Sequence, residues 1–383
     1  MKIINTILFF IILFSQSLAQ NQVKKWYFGG SAALDFMTSP PTSLNTSTML
    51  SLAGTASIAD ENGNLLFYTN GYAIKNQLHV TMDNGDNLLG NPGAGQPALI
   101  SKLQGSPSIY YVFTMGSYTT GLYYSIVDMS LAAGLGSVTV KNATLLPMTV
   151  TRSAGVLAGA SHCNGNDVWV VTHPLYSNNF YSFLFSSNGI NPVATISTVG
   201  EDTVPGAIIK ISPNGKKLAC IIQNGINGKC AVFDFDNTTG AVSSNSIVLD
   251  GIQWAYGLEF SPDGSKLYVS SGFLQYADPS AYLYQYDLCG GSEAAIKASK
   301  YLVNVDPPPA MSGGALQLAT DGKIYRGRFS NDTLGTINNP NLLGPACNYQ
   351  ISGIGLIAGQ AQMGLPNFIS SYFKGPHPMF NYS

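Results

Sequence analysis

The chain has 383 residues, of which 45% are hydrophobic and only 10% are charged, and its formal net charge is −2. Without a basic field the chain is not suited to nucleic acid, because binding to phosphates relies on clustered Lys and Arg. The 41 Gly and 20 Pro residues are typical of a β protein with many turns.

Residues 1–19 have the pattern of a secretory leader. Lys2 gives a basic start, residues 7–14 form an apolar core, and Ser17-Leu18-Ala19 is a small-x-small cleavage site before Gln20. The apolar run is shorter than a usual membrane span. We therefore predict an exported protein with no membrane span in its mature chain, extracellular or at the cell surface, with the periplasm as the alternative.

A strand–turn–strand unit recurs along the chain. Its clearest copy runs from Tyr256 to Ser271 and contains Ser261-Pro262-Asp263-Gly264, which fits a type I turn. Equivalent turns contain Gly63, Gly165, Gly215 and Gly322. From Gly165 to Gly215 and on to Gly264 the spacing stays close to that of kelch or WD40 units, which predicts a β-propeller.

Six units are visible in the middle of the chain, and the two ends supply a seventh. Gly364–Ile369 has the spacing of an inner strand without a return strand, whereas Trp26–Gly29 and Leu34–Phe36 have the pattern of outer strands without an inner partner. We predict an all-β, seven-bladed β-propeller over residues 20–373, closed by pairing of the N- and C-terminal strands, which removes exposed sheet edges. Residues 374–383 form a tail.

Five cysteines in an exported chain permit disulfides and leave one thiol over. Cys220 and Cys230 flank a hairpin turn and would lie opposite each other, so a bridge and two buried thiols are both open. Cys289 with Cys347 is a second possible pair. We predict that Cys163 is a buried free thiol.

The sequence has no Gly-x-Ser-x-Gly nucleophile elbow and no Walker loop. His162 and His173 are the only close pair of histidines, but a return strand separates them by roughly 16 Å, so they cannot share a metal. We predict no cofactor and no bound metal.

One polar position recurs in the middle of the predicted inner strands. It is occupied by Ser57, Lys210, Glu259, Gln317 and Asn367. Inner strands line the channel of a propeller, so these side chains would form a ring there. The ring is interpreted either as a water-binding group with a Lys210–Glu259 pair between adjacent blades, or as a ligand or metal site.

A second candidate is the rim where return strands end and loops between blades arrive. Aromatic and Arg side chains are frequent in binding hot spots, and several fall here. The ligand-binding candidates on this rim are Asn70, Tyr118, His173, Trp254, Tyr256 and Arg326. We expect His173, Trp254 and Arg326 to carry most of the binding.

Several motifs give the chain a family resemblance. They include Trp26-Tyr-Phe-Gly29, Gly63–Gly71, His162-x-Asn-Gly165-x-Asp167-x-Trp169, Ile337–Asn341 and Gly364–Ile369. In these the chain resembles the WD40/YVTN-like N-terminal propeller of secreted Bacteroidota surface proteins, described as gliding-motility-associated or PKD-domain proteins. The resemblance implies a propeller at the cell surface and supplies no catalytic residues.

We predict a non-catalytic propeller that acts as a binding, adhesion or scaffold module for a surface glycan or protein. The alternative is a propeller hydrolase of the lactonase type, with a channel metal at Glu259, Gln317 and Asn367. Such an enzyme needs several carboxylates and amides on one ion. The ring offers one carboxylate beside a lysine, and this count favours binding over catalysis.

Overall fold

The structure is a computed structural model. It describes residues 20–116, 121–147, 155–202, 208–223, 226–272, 280–306 and 313–374. These residues form seven antiparallel sheets, which confirms the predicted all-β, seven-bladed propeller. The predicted leader and the tail beyond Lys374 lie outside the described residues.

The seven sheets are the blades, and each is built from strands that are consecutive in the chain. Blade 1 comprises β1 (Lys25–Phe28), β2 (Ala32–Asp35) and β3 (Thr42–Leu44). Blade 2 comprises β4 (Ala56–Ala59), β5 (Leu65–Thr69) and β6 (Ile74–Asn76). Blade 3 comprises β7 (Ala98–Lys102), β8 (Ile109–Met115), β9 (Leu122–Asp128) and β10 (Ser137–Leu146).

The later blades follow the same order from the axis outward. Blade 4 comprises β11 (Ala158–Ser161), β12 (Val168–Thr172), β13 (Asn179–Ser186), β14 (Gly189–Ile190) and β15 (Thr195–Thr198). Blade 5 comprises β16 (Ile209–Ile211), β17 (Lys217–Gln223), β18 (Lys229–Asp236) and β19 (Ala241–Leu249). Blade 6 comprises β20 (Ala255–Phe260), β21 (Lys266–Ser271), β22 (Ala281–Asp287) and β23 (Tyr301–Asp306). Blade 7 comprises β24 (Leu316–Leu318), β25 (Ile324–Arg326), β26 (Thr333–Ile337) and β27 (Tyr349–Gly355).

From β1 to Lys374, the helical structure of the described residues lies in short connections. Single 3₁₀ turns occur at Ala132–Gly134, Gly344–Cys347 and Ser370–Phe373, and one α-helix, α1, spans Glu293–Ala298. The Ser292 side chain caps α1 by accepting the N–H of Ala295, a local signal that our sequence analysis did not use. None of the helices in the described ranges is long and apolar enough to cross a membrane.

The recurring hairpin turn has the geometry that its sequence predicts. In blade 6 the N–H of Gly264 donates to the carbonyl of Ser261 at 2.8 Å. Gly264 has a φ of +72°, a conformation that side chains with a Cβ rarely adopt. The same bond closes the turn at Gly215 in blade 5 and at Gly322 in blade 7. These turns therefore all lie on one face of the ring.

In the described residues the C-terminal segment forms no strand of blade 1, so closure by pairing of the N- and C-terminal strands is not shown and stays a prediction. Within the described chain the segment makes isolated bridges, from Gln360 to Gly30, from Pro366 to Thr55 and from Ile369 to Gly159. Pro366 has no N–H to donate to a ladder. The segment instead runs along the axis and contacts the inner strands of blades 2 and 4.

Of the two alternatives for Cys220 and Cys230, the structure has two buried thiols, but the expectation that they lie opposite each other is wrong. Cys220 lies opposite Ala231 and Cys230 lies opposite Ile221, so the two cysteines are offset by one residue. Neighbouring strand residues point to opposite faces of a sheet, and the two thiols therefore pack into different core clusters. All five cysteines are free in the structure, including exposed Cys289 and buried Cys347.

Candidate functional site

Three members of the predicted channel ring meet at the axis. The Nζ of Lys210 lies 2.9 Å from Oε2 of Glu259 and donates to Oε1 of Gln317 at 2.6 Å. These residues come from the innermost strands of blades 5, 6 and 7, and all three are buried. The Lys210–Glu259 pair between adjacent blades is thus present.

Both carboxylate oxygens of Glu259 already accept hydrogen bonds, and three of its roughly four acceptor sites are used. Its Oε1 accepts the N–H of Phe260 at 3.0 Å, and its Oε2 accepts the N–H of Leu318 at 3.1 Å in addition to Lys210. In the part of the chain that the structure describes, no three His, Cys, Asp or Glu side chains converge. The donor set therefore does not fit the channel metal of the lactonase-type alternative.

The other two ring members point elsewhere. Ser57 donates to the carbonyl of Lys25 at 2.6 Å. Asn367 lies in the C-terminal segment, and its Nδ2 donates to the carbonyls of Ala98 at 3.1 Å and Leu157 at 2.8 Å. Asn367 thereby ties the C-terminal segment to blades 3 and 4 instead of joining the Lys210 cluster.

Among the described residues, one small cavity lies beside the channel cluster. Gln96 reaches across the channel and makes two hydrogen bonds to the backbone of Ile209, at 2.8 and 3.0 Å. The cavity, beside Lys210 and Asn367, has a volume of about 10 Å³. That volume holds about one water molecule, so a larger reactant has to bind elsewhere.

Three of the predicted rim residues are buried and cannot contact a ligand at the surface. His173 has no exposed area, and its ring packs edge-on against Phe180 with 4.1 Å between centroids. Burial lowers the pKa of His173 to about 4. Arg326 is fully buried beside Asp306, and Tyr256 lies in the core. The ends of the return strands at His173 and Arg326 are thus buried rather than exposed.

The other rim candidates are Asn70, Trp254 and Tyr118. The Oδ1 of Asn70 accepts the N–H groups of Tyr72 and Ala73, both at 3.0 Å, which is the role of a turn-forming residue. Trp254 is half-buried with a φ of +54°. Tyr118 lies outside the described residues. Binding of a ligand or partner at the rim stays a prediction.

An open cleft lies on the face that carries the hairpin turns, and we call it the hairpin-turn cleft. Its volume is about 780 Å³. It is lined by residues of the blade 3, 4 and 5 hairpin turns and of both chain ends, among them Gln20, Gln104, Ser106, His162, Cys163, Asn166, Asn214, Asn237 and Tyr372. This cleft is large enough for a small organic substrate.

A thiol and an imidazole lie side by side in this cleft. The Sγ of Cys163 is 3.8 Å from Nδ1 of His162. The Nε2 of His162 donates to the carbonyl of Thr238 at 3.0 Å, so Nδ1 carries the lone pair that faces the thiol. The N–H of Asn164 also donates to Nδ1, at 3.0 Å. The pair has the composition of a nucleophile with its base.

The position of this pair is set by the neighbouring blade. The carbonyl of Asn237 accepts the N–H of Cys163 at 3.0 Å and Nε1 of Trp169 at 3.0 Å. Asp236 holds the same turn, since its Oδ1 accepts the N–H of Thr238 at 2.9 Å. This hydrogen bond is the main reason that the pKa of Asp236 is lowered. One turn of blade 5 therefore orients both Cys163 and His162.

The sequence analysis missed this pair and predicted a buried Cys163, which is wrong because Cys163 is exposed. Cys163 is the second residue of a turn in which Gly165 donates to the carbonyl of His162 at 3.0 Å. Central turn residues face solvent. The adjacency of His162 and Cys163 ahead of a turn glycine was the available signal.

No protein-family model and no curated protein sequence matches the chain. Among solved structures, the periplasmic gluconolactonase PpgL of Pseudomonas aeruginosa has 13% identity and a TM-score of 0.49, covering 90% of this chain and 97% of its own. A Bacteroides uniformis protein, provisionally titled a 6-phosphogluconolactonase, has 13% identity and a TM-score of 0.49, covering 89% and 98%. Kluyveromyces lactis Hsv2 has 10% identity and a TM-score of 0.47, covering 88% and 97%.

These comparisons correct the prediction of a non-catalytic binding, adhesion or scaffold module. Proteins titled as lactonases stand among the similar solved structures, so the conclusion "not an enzyme", which rested on the count of carboxylates in the channel ring, is corrected. At 10 to 15% identity the likeness shows the fold alone. The reaction therefore has to be argued from the residues of this chain.

Proposed function

We propose that the protein is a hydrolase that cleaves an ester or lactone in the hairpin-turn cleft with Cys163 as its nucleophile. The observation that carries the proposal is the 3.8 Å approach of Cys163 Sγ to Nδ1 of His162, whose other nitrogen is held by Thr238. A thiol beside an imidazole that a third group orients is the arrangement of activated cysteine nucleophiles.

The reaction has two steps. His162 takes the thiol proton at Nδ1, the sulfur of Cys163 bonds to the carbonyl carbon, and the C–O bond to the leaving oxygen breaks as that oxygen receives the proton. Water then adds to the thioester with His162 as base, the C–S bond breaks, and the thiol is restored. With a lactone, the leaving oxygen stays in the product as a hydroxyl, so one hydroxy acid is released.

The resting geometry needs one adjustment before proton transfer. Nδ1 of His162 shares its lone pair with the N–H of Asn164, and 3.8 Å is longer than the distance over which a proton moves. Catalytic hydrogen bonds in ligand-free structures are often long and shorten when substrate binds. A small rotation of the exposed Cys163 side chain shortens this distance without moving the blade.

The lining of the cleft favours a substrate that carries several hydroxyl groups. Amide side chains both donate and accept hydrogen bonds, as hydroxyl groups do. The cleft has such groups at Gln104, Asn166, Asn214 and Asn237. We therefore propose a polyhydroxylated lactone, such as an aldonolactone, as the first substrate to test.

The test is hydrolysis of an aldonolactone and of p-nitrophenyl acetate by the full chain. Cys163→Ser and His162→Gln should each lower kcat/KM by roughly a hundredfold or more, the usual contribution of a catalytic base and its nucleophile. Cys289→Ser is the matched control, because Cys289 is also an exposed free thiol. Equal rates for Cys163→Ser and Cys289→Ser would contradict the proposal.

We also propose that the protein is exported and belongs with the secreted Bacteroidota propellers that it resembles. The support is the leader pattern of residues 1–19 and the motif series that includes Gly63–Gly71. The intact mass of the protein recovered from its native envelope is the test. A mature chain that begins at Gln20 is the expected result, and an uncleaved chain in the cytoplasm would contradict it.

A further inference from the structure

Blade 7 contains a buried cluster of charges on the face opposite the hairpin-turn cleft. The strand β25 runs from the hairpin turn to Arg326, so its end lies on the far side of the ring. There Arg326 contacts Asp306 and Tyr349, and Arg328 lies beside the same Asp306. The side chain of Arg326 has no exposed area, and those of Asp306 and Arg328 are 7% and 19% exposed.

The hydrogen bonds of this cluster are incomplete. Arg326 donates from Nε to the carbonyl of Gly313 at 3.0 Å and from Nη1 to Asp306 at 3.3 Å and to Tyr349 at 3.2 Å. Among the described residues, Nη2 of Arg326 and Nε of Arg328 have no hydrogen-bond partner. The Oδ2 of Asp306 is 3.7 Å from Nε of Arg328, within ion-pair range but too far for a hydrogen bond.

The charges of the cluster do not balance. Two guanidinium groups face one carboxylate, and no second carboxylate lies within ion-pair distance of either arginine in the described ranges. Tyr349 is neutral, since burial raises the pKa of its hydroxyl. The cluster therefore carries one uncompensated positive charge, which is unfavourable in the interior of a protein unless an anion accompanies it.

We propose that Arg326 and Arg328 form a binding site for a small monocarboxylate. One carboxylate brings the net charge of the cluster to zero, whereas a doubly charged phosphate would leave it negative. Its two oxygens are the natural acceptors for the unused N–H groups of the two guanidiniums. The ligand has to be small, because among the charged side chains of the cluster even the most exposed, Arg328, is only 19% exposed.

The experiment is thermal unfolding of the full chain at pH 7 in sodium acetate, compared with sodium chloride at equal ionic strength. A saturable rise in Tm with acetate and none with chloride is expected. Arg328→Gln should weaken the apparent acetate affinity about tenfold or more, as expected for loss of a charge-assisted hydrogen bond. Lys323→Gln removes the same charge from the blade 7 hairpin turn and should leave the affinity unchanged.

Equal changes in Tm with acetate and with chloride would contradict the proposed site. An apparent acetate affinity that is unchanged in Arg328→Gln would also contradict it. A larger rise in Tm with inorganic phosphate than with acetate would contradict the argument that the site takes a singly charged anion. Line broadening of carbon-13 acetate by the wild-type chain, reversed by excess formate, measures binding without any variant. The site is independent of the hydrolase, since neither arginine lies in the hairpin-turn cleft.

Discussion

The propeller has two polar groups near its axis, and their hydrogen bonds differ. In the channel, both carboxylate oxygens of Glu259 are occupied by Lys210 and by backbone N–H groups. In the cleft, the thiol of Cys163 is exposed, and among the described residues its polar side-chain contact is the imidazole of His162. Residue type alone suggested a site in the channel. The cleft is favoured because its thiol is exposed, whereas both carboxylate oxygens in the channel already have hydrogen-bond partners.

The difference follows from where each group lies in the blade. Inner strands bring Lys210 and Glu259 into a closed interior, where any unpaired polar atom is costly and partners are therefore complete. Hairpin turns place Cys163 at the solvent boundary, where an atom can keep a free face at little cost. A buried, fully bonded cluster stabilises the fold, and a partly bonded exposed pair is available for chemistry.

The largest expected loss of stability comes from breaking the ion pair between Lys210 and Glu259 in the channel. Lys210→Met leaves Glu259 buried without its cation, and removal of one partner of a buried ion pair usually costs about 3–5 kcal/mol. The free energy of unfolding, measured in urea, should fall by this amount. The rate of hydrolysis per folded molecule should not change, because the channel does not reach the cleft pair.

Lys217→Met is the matched control for the channel variant. Lys217 pairs with Asp234 at 2.6 Å, but both side chains are more than 40% exposed, so the loss should stay below about 1 kcal/mol. If Lys210→Met unfolds at the same urea concentration as Lys217→Met, the channel cluster does not stabilise the ring in the way proposed.

The buried histidine of blade 4, His173, makes the stability of the fold depend on pH. Burial lowers the pKa of His173 to about 4, whereas the unfolded chain takes up this proton near pH 6.5. Neutral His173 makes its full contribution to the free energy of unfolding above about pH 6.5. This contribution is lost as the pH falls toward 4, by about 3 kcal/mol in total. Urea unfolding at a series of pH values measures it.

Substitution separates the contribution of His173 from that of other titrating groups. His173→Gln should flatten the dependence of unfolding free energy on pH between about 4 and 6.5. A wild-type chain that is equally stable at both ends of this range would show that His173 is not held neutral in the core.

A smaller effect is expected where the C-terminal segment meets the ring. Asn367→Ala removes the donor to the buried carbonyls of Ala98 and Leu157, and each unsatisfied buried group costs about 1–3 kcal/mol. We expect a loss of about 2 kcal/mol in thermal or urea unfolding. Asn339→Ala, which removes an exposed amide bond to Ala346, should cost about 0.5 kcal/mol or less. Equal losses would mean that the segment does not hold blades 3 and 4.

The smallest effect on stability is expected in the cleft. Cys163→Ser should change the unfolding free energy by no more than about 0.5 kcal/mol, because the side chain is exposed. A thiol reagent should label Cys163 and Cys289 quickly in the native protein and spare Cys220 and Cys230, whose pKa values burial raises. Slow labelling of Cys163 would place the thiol in the core and remove the basis of the proposed nucleophile.

The sequence by itself determined the features that depend on neighbouring residues. The alternation around Glu259 and the turn residues Ser261–Gly264 specify a hairpin through local sterics and turn geometry. Repetition of that unit predicted six blades, and the strand patterns of the two ends added the seventh. The polar mid-strand position also located Lys210 and Glu259 on adjacent inner strands, from which their contact followed.

Only the tertiary structure decided the features that depend on register and on distant chain segments. A shift of one residue in the blade 5 hairpin separates Cys220 from Cys230, and no local pattern fixes such a shift. The cleft pair depends on the carbonyl of Thr238, which lies 76 residues from His162 in the chain and adjacent to it in space. Local preferences determine strands and turns, whereas a site between blades is formed by contacts that exist only after the ring has closed.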